Sequence, residues 1–467
     1  MNQLAFIASS ALAVGIHASA QDLVSVASHT TDNFPAGTAL TYGLEPIGNR
    51  VVVAFNNQLR WLEASPSGWM MTPEVIGSPA LGVVGFATSI RGDGSMIAVG
   101  CDSGHVFVYD ARRTLQAPVA SWHTPDGGRA IALTAAGDRV LVGRPKTDGT
   151  PGGGVLLRVQ GAAVSVEHDF TAPAVPSAIG WSGGLSGDDV VISGERSAGD
   201  WHAWTWRRID GAWTTLGPLS PSGAAGNPIF GCSSAIDGNL IAVGARDDSE
   251  RGWQSGACFV FERNPSGWTQ VAKIMLSEPP FNNQETGGSV SVRNGRVFVS
   301  AGGNMENGIG DRGRMLIASR RSGEWLLDQV CRASESGFPT FWGYSPRFGE
   351  QGTVYVFGAD SPSPFTTWRA RFDALATLSD CDSDMTPDVA GILGGITADV
   401  NSNLLPDACE CIADIDRSGV VDGGDLGQLL LNWGTCVQAC PGDLTRDGET
   451  DGADLGALLA AWGWCGA

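Results

Sequence analysis

Residues 230–276 read FGCSSAIDGNLIAVGARDDSERGWQSGACFVFERNPSGWTQVAKIML, and the order of patterns in this stretch decides the fold. An apolar segment runs into the tight turn Asp237-Gly238-Asn239, followed by the short apolar run IAVG at 241. After a polar loop comes the alternating segment ACFVFER, then a corner, Pro265-Ser266-Gly267, that enters one more alternating segment. Short apolar runs bounded by Gly, Asp, Asn and Pro read as strands joined by hairpins, so this stretch predicts four antiparallel strands.

Working outward, the IAVG run has six counterparts: VVVA at 51, IAVG at 97, VLVG at 140, VISG at 191, VFVS at 297 and YVFG at 355. A hairpin strand precedes most of them, as in FATSIRGDG from Phe86, RAIALTAAGD from Arg129 and SVSVRNGR from Ser289. An alternating strand follows all seven: QLRWLEA, HVFVYDA, VLLRVQ, HAWTWRRI, ACFVFER, RMLIASR and TTWRARFD. The corner into a fourth strand is legible four times, at Pro66–Met71, Asp210–Leu216, Pro265–Val271 and Ser322–Leu327. Seven units of four strands predict a mainly β chain whose body, residues 21–379, is a seven-bladed β-propeller.

The 230–276 unit resembles the FG-GAP repeat of integrin-alpha-like propellers, with its FG opening, IAVGA strand and later V-F strand. Those families often carry an Asp-rich calcium loop between the first two strands. Here the same hairpins read IRGDGS, TAAGD, AIDGN and VRNG, which lack it. Within the unit Cys232 and Cys258 fall on strands separated by a third, too far apart for a disulfide, and are expected to stay reduced.

The chain has 467 residues and a net charge of −20. From Asp380 to the end, 16 acidic residues face two arginines. Without a basic stripe the chain has no electrostatic means of holding nucleic acid, and crowded carboxylates suit hard cations. Leu4–Ile16 is an apolar run ending at Ala18-Ser19-Ala20, read as a signal peptide over residues 1–20 with the mature N-terminus at Gln21. No Lys or Arg precedes Arg50, so a buried first strand or helix is the alternative. No later run is long enough for a transmembrane span.

Residues 380–409 repeat themselves: DCDSDMTPDVA at 380 and DVNSNLLPDAC at 399 align Asp380, Asp382, Asp384 and Asp388 with Asp399, Asn401, Asn403 and Asp407. They look like shortened thrombospondin type 3 repeats, an acidic spacer that either binds calcium or is a plain linker. Residues 410–467 carry the stronger duplication, DIDRSGVVDGGDLGQLLLNWG from Asp414 and DLTRDGETDGADLGALLAAWG from Asp443. Oxygen side chains recur at loop positions 1, 3, 5, 9 and 12, with Gly419 or Gly448 at the sharp turn and a backbone carbonyl at position 7. The expected calcium ligands are Asp414, Asp416, Ser418, Val420, Asp422 and Asp425 in one loop, and Asp443, Thr445, Asp447, Glu449, Asp451 and Asp454 in the other.

Each loop leads into an apolar helical pattern, Leu426, Leu429, Leu430 and Trp433, or Leu455, Leu458, Leu459 and Trp462. The pair resembles a dockerin, a small α-helical module of two calcium-binding loop-helix halves, half an EF-hand each. That resemblance implies calcium as cofactor and a cohesin-like or cell-surface anchoring protein as partner. Dockerins place hydroxyl residues at loop positions 10 and 11, where this chain has Gly423-Gly424 and Gly452-Ala453. Cys411 and Cys440 repeat at the same offset as Cys436 and Cys465, and are expected to staple the module.

No catalytic motif is present, and the six histidines are scattered. Trp201, Trp204 and Trp206 lie close together, either as a sugar-stacking platform or, like each Trp after a hairpin corner, as packing between blades. Arg91-Gly92-Asp93 spells an integrin-recognition tripeptide but sits in a turn. The resulting expectation is a secreted or cell-surface, non-enzymatic binding protein whose propeller takes a protein or glycan ligand. An extracellular polysaccharide-degrading enzyme or lectin, and a structural surface-layer component, are the competing readings.

Overall fold

A computed structural model describes residues 24–35, 43–55, 58–63, 69–72, 87–92, 95–112, 117–126, 128–146, 152–171, 177–196, 200–276, 282–302, 313–321, 323–332, 344–349, 352–360, 367–376, 388–397, 399, 404, 406, 412–415, 420–435, 442–445 and 447–464. The chain divides into two compact units, residues 1–378 with 393–395, and residues 379–392 with 396–467. The leader expected at 1–20, the six cysteines of the tail, and Asp416, Ser418 and Gly419 of the first loop lie outside the described residues.

In the first unit, strand β1 (Val24–Pro35) precedes six consecutive four-stranded meanders. Blade 1 is β2 (Leu44–Ile47), β3 (Arg50–Phe55), β4 (Gln58–Glu63) and β5 (Met70–Met71). Blade 2 is β6 (Ala87–Gly92), β7 (Met96–Cys101), β8 (His105–Asp110) and β9 (Ala120–His123). Blade 3 is β10 (Ile131–Ala136), β11 (Arg139–Arg144), β12 (Gly153–Gln160) and β13 (Ala163–Thr171). Blade 4 is β14 (Ser177–Ser186), β15 (Asp189–Arg196), β16 (Asp200–Ile209) and β17 (Ala212–Leu219). Blade 5 is β18 (Phe230–Asp237), β19 (Leu240–Ala245), β20 (Ala257–Asn264) and β21 (Gly267–Ile274). Blade 6 is β22 (Val290–Arg293), β23 (Arg296–Ala301), β24 (Arg314–Arg321) and β25 (Glu324–Arg332).

Blade 7 is composed differently. Its own strands are β26 (Tyr344–Phe348), β27 (Val354–Asp360) and β28 (Thr367–Ala376), and its fourth is β1, which pairs antiparallel with β28 from Val24↔Ala376 to Pro35↔Thr367. The two ends of the unit thereby close the ring and remove its open edge. The first strands β2, β6, β10, β14, β18, β22 and β26 touch in that order, and β26 returns to β2, so these seven line the axis. The unit is a seven-bladed β-propeller, as the seven apolar runs predict. Those runs identified the second strand of every blade; they did not reveal β9 and β13 or the closing role of β1.

The second strands are apolar at every position because each face meets a different neighbour. In β7, Ile97 and Val99 join the cluster shared with blade 1, whereas Met96 and Ala98 join the cluster shared with blade 3. In β19, Ile241 and Val243 pack toward blade 4, and Leu240 and Ala242 toward blade 6. Outer strands need no such character: β13 and β17 are mostly exposed or half-buried. Each fully buried Val, Leu or Ile contributes roughly 1.5–3 kcal/mol, so burial between blades is the main favourable term holding the ring.

The corner tryptophans pack on the preceding blade, as expected. Trp69 stacks on Tyr355 of blade 7 at 5.7 Å, and Trp213 meets Phe170 of blade 3 edge-on at 5.1 Å. Trp206 is buried and Trp204 packs against the same cluster, so neither forms a sugar-stacking platform; the side chain of Trp201 lies outside the described residues. Cys232 and Cys258 lie on the first and third strands of blade 5 as free thiols. Burial pushes the Cys232 thiol up to about 11 and that of Cys258 higher still.

Beyond the propeller strands come α1 (Asp388–Leu393), all but its last residue in the second unit, and then, within that unit, β29 (Val420–Val421), α2 (Gly423–Leu431), β30 (Gly434–Thr435), β31 (Glu449–Thr450), α3 (Gly452–Ala460) and β32 (Gly463–Trp464). Within the spacer expected at 380–409, α1 forms, and Val389, Ile392, Leu393 and Leu404 are buried.

Candidate functional site

The duplicated sequence of the tail folds as two equivalent halves. The strand before each helix pairs with residues after the other helix, Val420↔Trp464 and Val421↔Gly463 in one ladder, Gly434↔Thr450 and Thr435↔Glu449 in the other. A single small core, Ala413, Val421, Leu429, Leu444 and Leu458, serves both halves. Each half contributes a leucine from the same position of its helix, Leu429 or Leu458, and both are fully buried.

The helices begin on the expected ligands. Asp422 caps α2 by accepting the Gly424 N–H, while Asp425 accepts the Asp422 N–H at 2.9 Å. Asp451 and Asp454 repeat this around α3, at 2.7 Å for both bonds. This reciprocal box satisfies N–H groups that an α-helix leaves open at its start, and places a carboxylate where the helix dipole favours it. Asp425 and Asp454 are fully buried by it.

The second loop is described almost completely. Asp443 accepts the N–H groups of Asp447 and Gly448 at 3.1 and 3.0 Å, Asp447 accepts that of Glu449 at 3.0 Å, and Asp454 accepts that of Thr445 at 2.8 Å. Gly448, at φ +91°, makes the sharp turn that a side chain would strain. Burial raises the Asp454 carboxyl, but the N–H groups of Asp451, Thr445 and Leu444 together with the Thr445 hydroxyl outweigh it and hold the group below its ordinary range. Asp443, Thr445, Asp447, Glu449, Asp451 and Asp454 are thus one folded loop around backbone N–H donors. Among the described residues, no three His, Cys, Asp or Glu side chains stand close enough together to hold a metal ion. Of the first loop, Asp414, Val420, Asp422 and Asp425 are described.

The helical stripe read from the sequence is only half buried. Leu429 and Leu458 are in the core and Leu426 and Leu455 pack at its edge, but Leu430, Trp433, Leu459 and Trp462 are each about half exposed, and Leu431 is 86% exposed. Two nine-residue helices bury one leucine each against a five-residue core, and among the described residues Leu430, Trp433, Leu459 and Trp462 stay half exposed.

In the propeller the structure assembles two groups that sequence spacing could not show. His105 and His123 are cross-strand partners in blade 2, with ring centroids 4.2 Å apart, and His105 Nδ1 lies 3.0 Å from Ser103 Oγ. Around the axis, Glu45, Arg91 and Arg347 come from three different blades. Arg91 is therefore not displayed as part of a recognition tripeptide, since its Nε donates to the Leu133 carbonyl and its Nη1 to that of Ile90. No helix among the described residues is long and apolar enough to cross a membrane.

Comparison with known proteins bears on the first unit. A chain from the crystal structure of the Mitotic Checkpoint Complex is 14% identical, covering 79% of this chain and 100% of that chain with a TM-score of 0.49. The WD40 beta propeller domain of Doa1 is 12% identical, covering 75% of this chain and 96% of that chain, with a TM-score of 0.47. No curated protein sequence matches the chain. Residues 213–261, which run from the outer strand of blade 4 through the first three strands of blade 5, match the FG-GAP repeat family.

Proposed function

We propose that this is a secreted, non-enzymatic binding protein of the adhesion type, whose FG-GAP propeller recognises a protein or glycan and whose dockerin-like tail anchors it to a cohesin-like or cell-surface protein in the presence of calcium. The observation that carries this reading is the tail's twofold architecture, which sets a half-exposed Leu–Trp pair, Leu430 with Trp433 and Leu459 with Trp462, at the same position of each half. Exposed aromatic and aliphatic side chains on a small acidic module favour a protein partner over solvent. FG-GAP propellers are themselves a protein-binding, adhesion-type fold.

Calcium fits the donor set. The second loop offers only oxygens, from Asp443, Thr445, Asp447, Asp451, Asp454 and the Glu449 carbonyl, and hard cations of this size take such ligands. The N–H groups of Asp447 and Gly448 use one lone pair on each Asp443 oxygen, which leaves the others able to coordinate. A bound cation would neutralise carboxylates that repel one another in one short loop.

Titration calorimetry of the whole chain with calcium tests this. We expect saturable binding in the wild type, a site lost in Asp443→Ala, and a rise in helical content on binding. Absence of any binding heat at millimolar calcium removes the calcium-dependent anchor from the reading.

A further inference from the structure

The inner strands of the propeller set one layer of side chains around the axis, each paired with the second residue of its blade's apolar run: Glu45↔Val52, Arg91↔Ala98, Thr134↔Leu141, Gly183↔Ile192, Ala235↔Ala242 and Ser291↔Phe298. Arg347, paired with Tyr355 after a register shift in blade 7, stands next to this layer. Blades 7, 1 and 2 thus contribute an arginine, a glutamate and an arginine in succession. The remaining blades contribute no charge to it.

The three charges form a row. Arg347 Nε is 3.8 Å from Glu45 Oε2. The Glu45 side chain lies against Gly92, where an added Cβ would come within 2.9 Å of its Cγ, and Gly92 adjoins Arg91. Arg91 spends Nε and Nη1 on two backbone carbonyls, and Arg347 spends Nη1 on that of Pro346 at 2.9 Å. Arg347 Nε and Nη2 are buried with no hydrogen-bond acceptor among the described residues. The Arg347 side chain keeps 12% of its surface and that of Glu45 8%, so the row is largely out of bulk water, and Arg347 Nε and Nη2 themselves are buried, so that an anion reaches them only as the surrounding side chains give way.

Among the described residues the row sets two guanidiniums against one carboxylate, a surplus of positive charge where desolvation is expensive. Burial, and then the Arg347 charge, press the Arg91 guanidinium down to about 9 against the pull of Glu45; burial presses Arg347 down likewise. An acceptor with negative charge would balance this surplus. A guanidinium with Nε and Nη2 both open presents the two-donor fork that matches an oxyanion.

We propose that the axial row Arg347–Glu45–Arg91 is a binding site for a small oxyanion, a carboxylate or a phosphate, held by the open Nε and Nη2 of Arg347. Glu45 sets the affinity, because it is the internal competitor for the same donors.

Thermal unfolding of the full chain, followed at constant ionic strength in chloride, acetate or inorganic phosphate, tests the site. The melting temperature should rise with the logarithm of acetate or phosphate concentration and stay flat in chloride. A response to acetate alone or to phosphate alone identifies which oxyanion it prefers. Arg347→Gln should abolish the response, and Glu45→Gln should tighten binding by about tenfold, since it frees donors from a charged competitor. Glu45→Gln keeps the test decisive if Arg347→Gln does not fold. Equal behaviour of the three anions, a wild-type response in Arg347→Gln, or weaker binding in Glu45→Gln would each overturn the proposal.

Discussion

The central strand of blade 5 and the helix starts of the tail treat polar groups in opposite ways. Blade 5 keeps its central strand free of them: Leu240 to Ala245 are all buried and all apolar or glycine, and the cluster on either side is supplied by a neighbouring blade. The tail buries two carboxylates, Asp425 and Asp454, beside a core of five apolar residues. The first arrangement is stable because each blade is half of two interfaces. The second depends on each carboxylate finding N–H donors, since a buried charge left unpaired costs more than so small a core returns. A repeat that stacks on copies of itself tolerates sequence drift at its loops, whereas a module that pairs only with its own duplicate requires matched residues at fixed positions.

Breaking the ring should produce the largest effect. Deleting residues through Pro35 removes β1, leaves β28 with an open edge, and should destabilise the propeller by on the order of 4 kcal/mol or more. Denaturant unfolding monitored by tryptophan fluorescence measures it, and an unchanged midpoint would mean that β1 does not close the ring. Next comes the close approach between blades 5 and 6. A Cβ on Gly244 would lie 1.9 Å from the Gly287 carbonyl oxygen and 2.3 Å from Ser233 Oγ, so Gly244→Ala must separate two backbones, at a cost of roughly 3 kcal/mol. The same substitution at Gly238, whose added Cβ meets nothing but whose backbone lies at φ +58°, should cost only the left-handed strain of about 1–2 kcal/mol, and the comparison isolates the clash.

In the tail the scale shifts. Leu458→Ala removes one of five core residues and should cost about 2–5 kcal/mol, enough to unfold the module while the propeller transition stays in place. Asp451→Ala removes the cap of α3, about 1 kcal/mol in calcium-free buffer. Circular dichroism at 222 nm distinguishes the two as loss of both helices or fraying of one. If Leu458→Ala moves only the propeller transition, the tail has no independent core.

The propeller was legible because its period is written twice, in the apolar second strands and in the Gly-bearing turns ahead of them. Blade 7 shows where such reading stops: its fourth strand is some 330 residues away in sequence from β28, and no local pattern announces a pairing of that range. The tail's loops were legible from the 29-residue offset, and the structure adds that Asp422, Asp425, Asp451 and Asp454 cap helices. What spacing could not say is which side of each helix finds a partner: Leu429 and Leu430 are adjacent in sequence, yet one is fully buried and the other about half exposed. His105 with His123, and Glu45 with Arg91 and Arg347, were invisible for the reason that made each look isolated. Side chains from different strands meet through register, which the fold sets.

The smallest expected effect comes from that histidine pair. Burial, and then the nearby His123, lower the His105 pKa below its ordinary 6.5. A group whose pKa is depressed by folding is more readily protonated in the unfolded chain. Its contribution to stability is therefore complete above pH 6.5 and is lost as pH falls through the lower folded value. Both rings are at the surface of blade 2, where solvent screens them, so the change in melting temperature between pH 7.5 and 5.5 traceable to the pair should be about 1 °C. His105→Gln keeps a hydrogen-bonding side chain beside Ser103 and removes the titration, so the mutant should melt with a shallower pH dependence than the wild type across that interval. Equal slopes would mean that the two imidazoles, though 4.2 Å apart, do not sense each other's charge. A shallower slope would mark the pair as a place on the propeller's surface where near-neutral pH alters the balance that buried apolar strands otherwise keep independent of it.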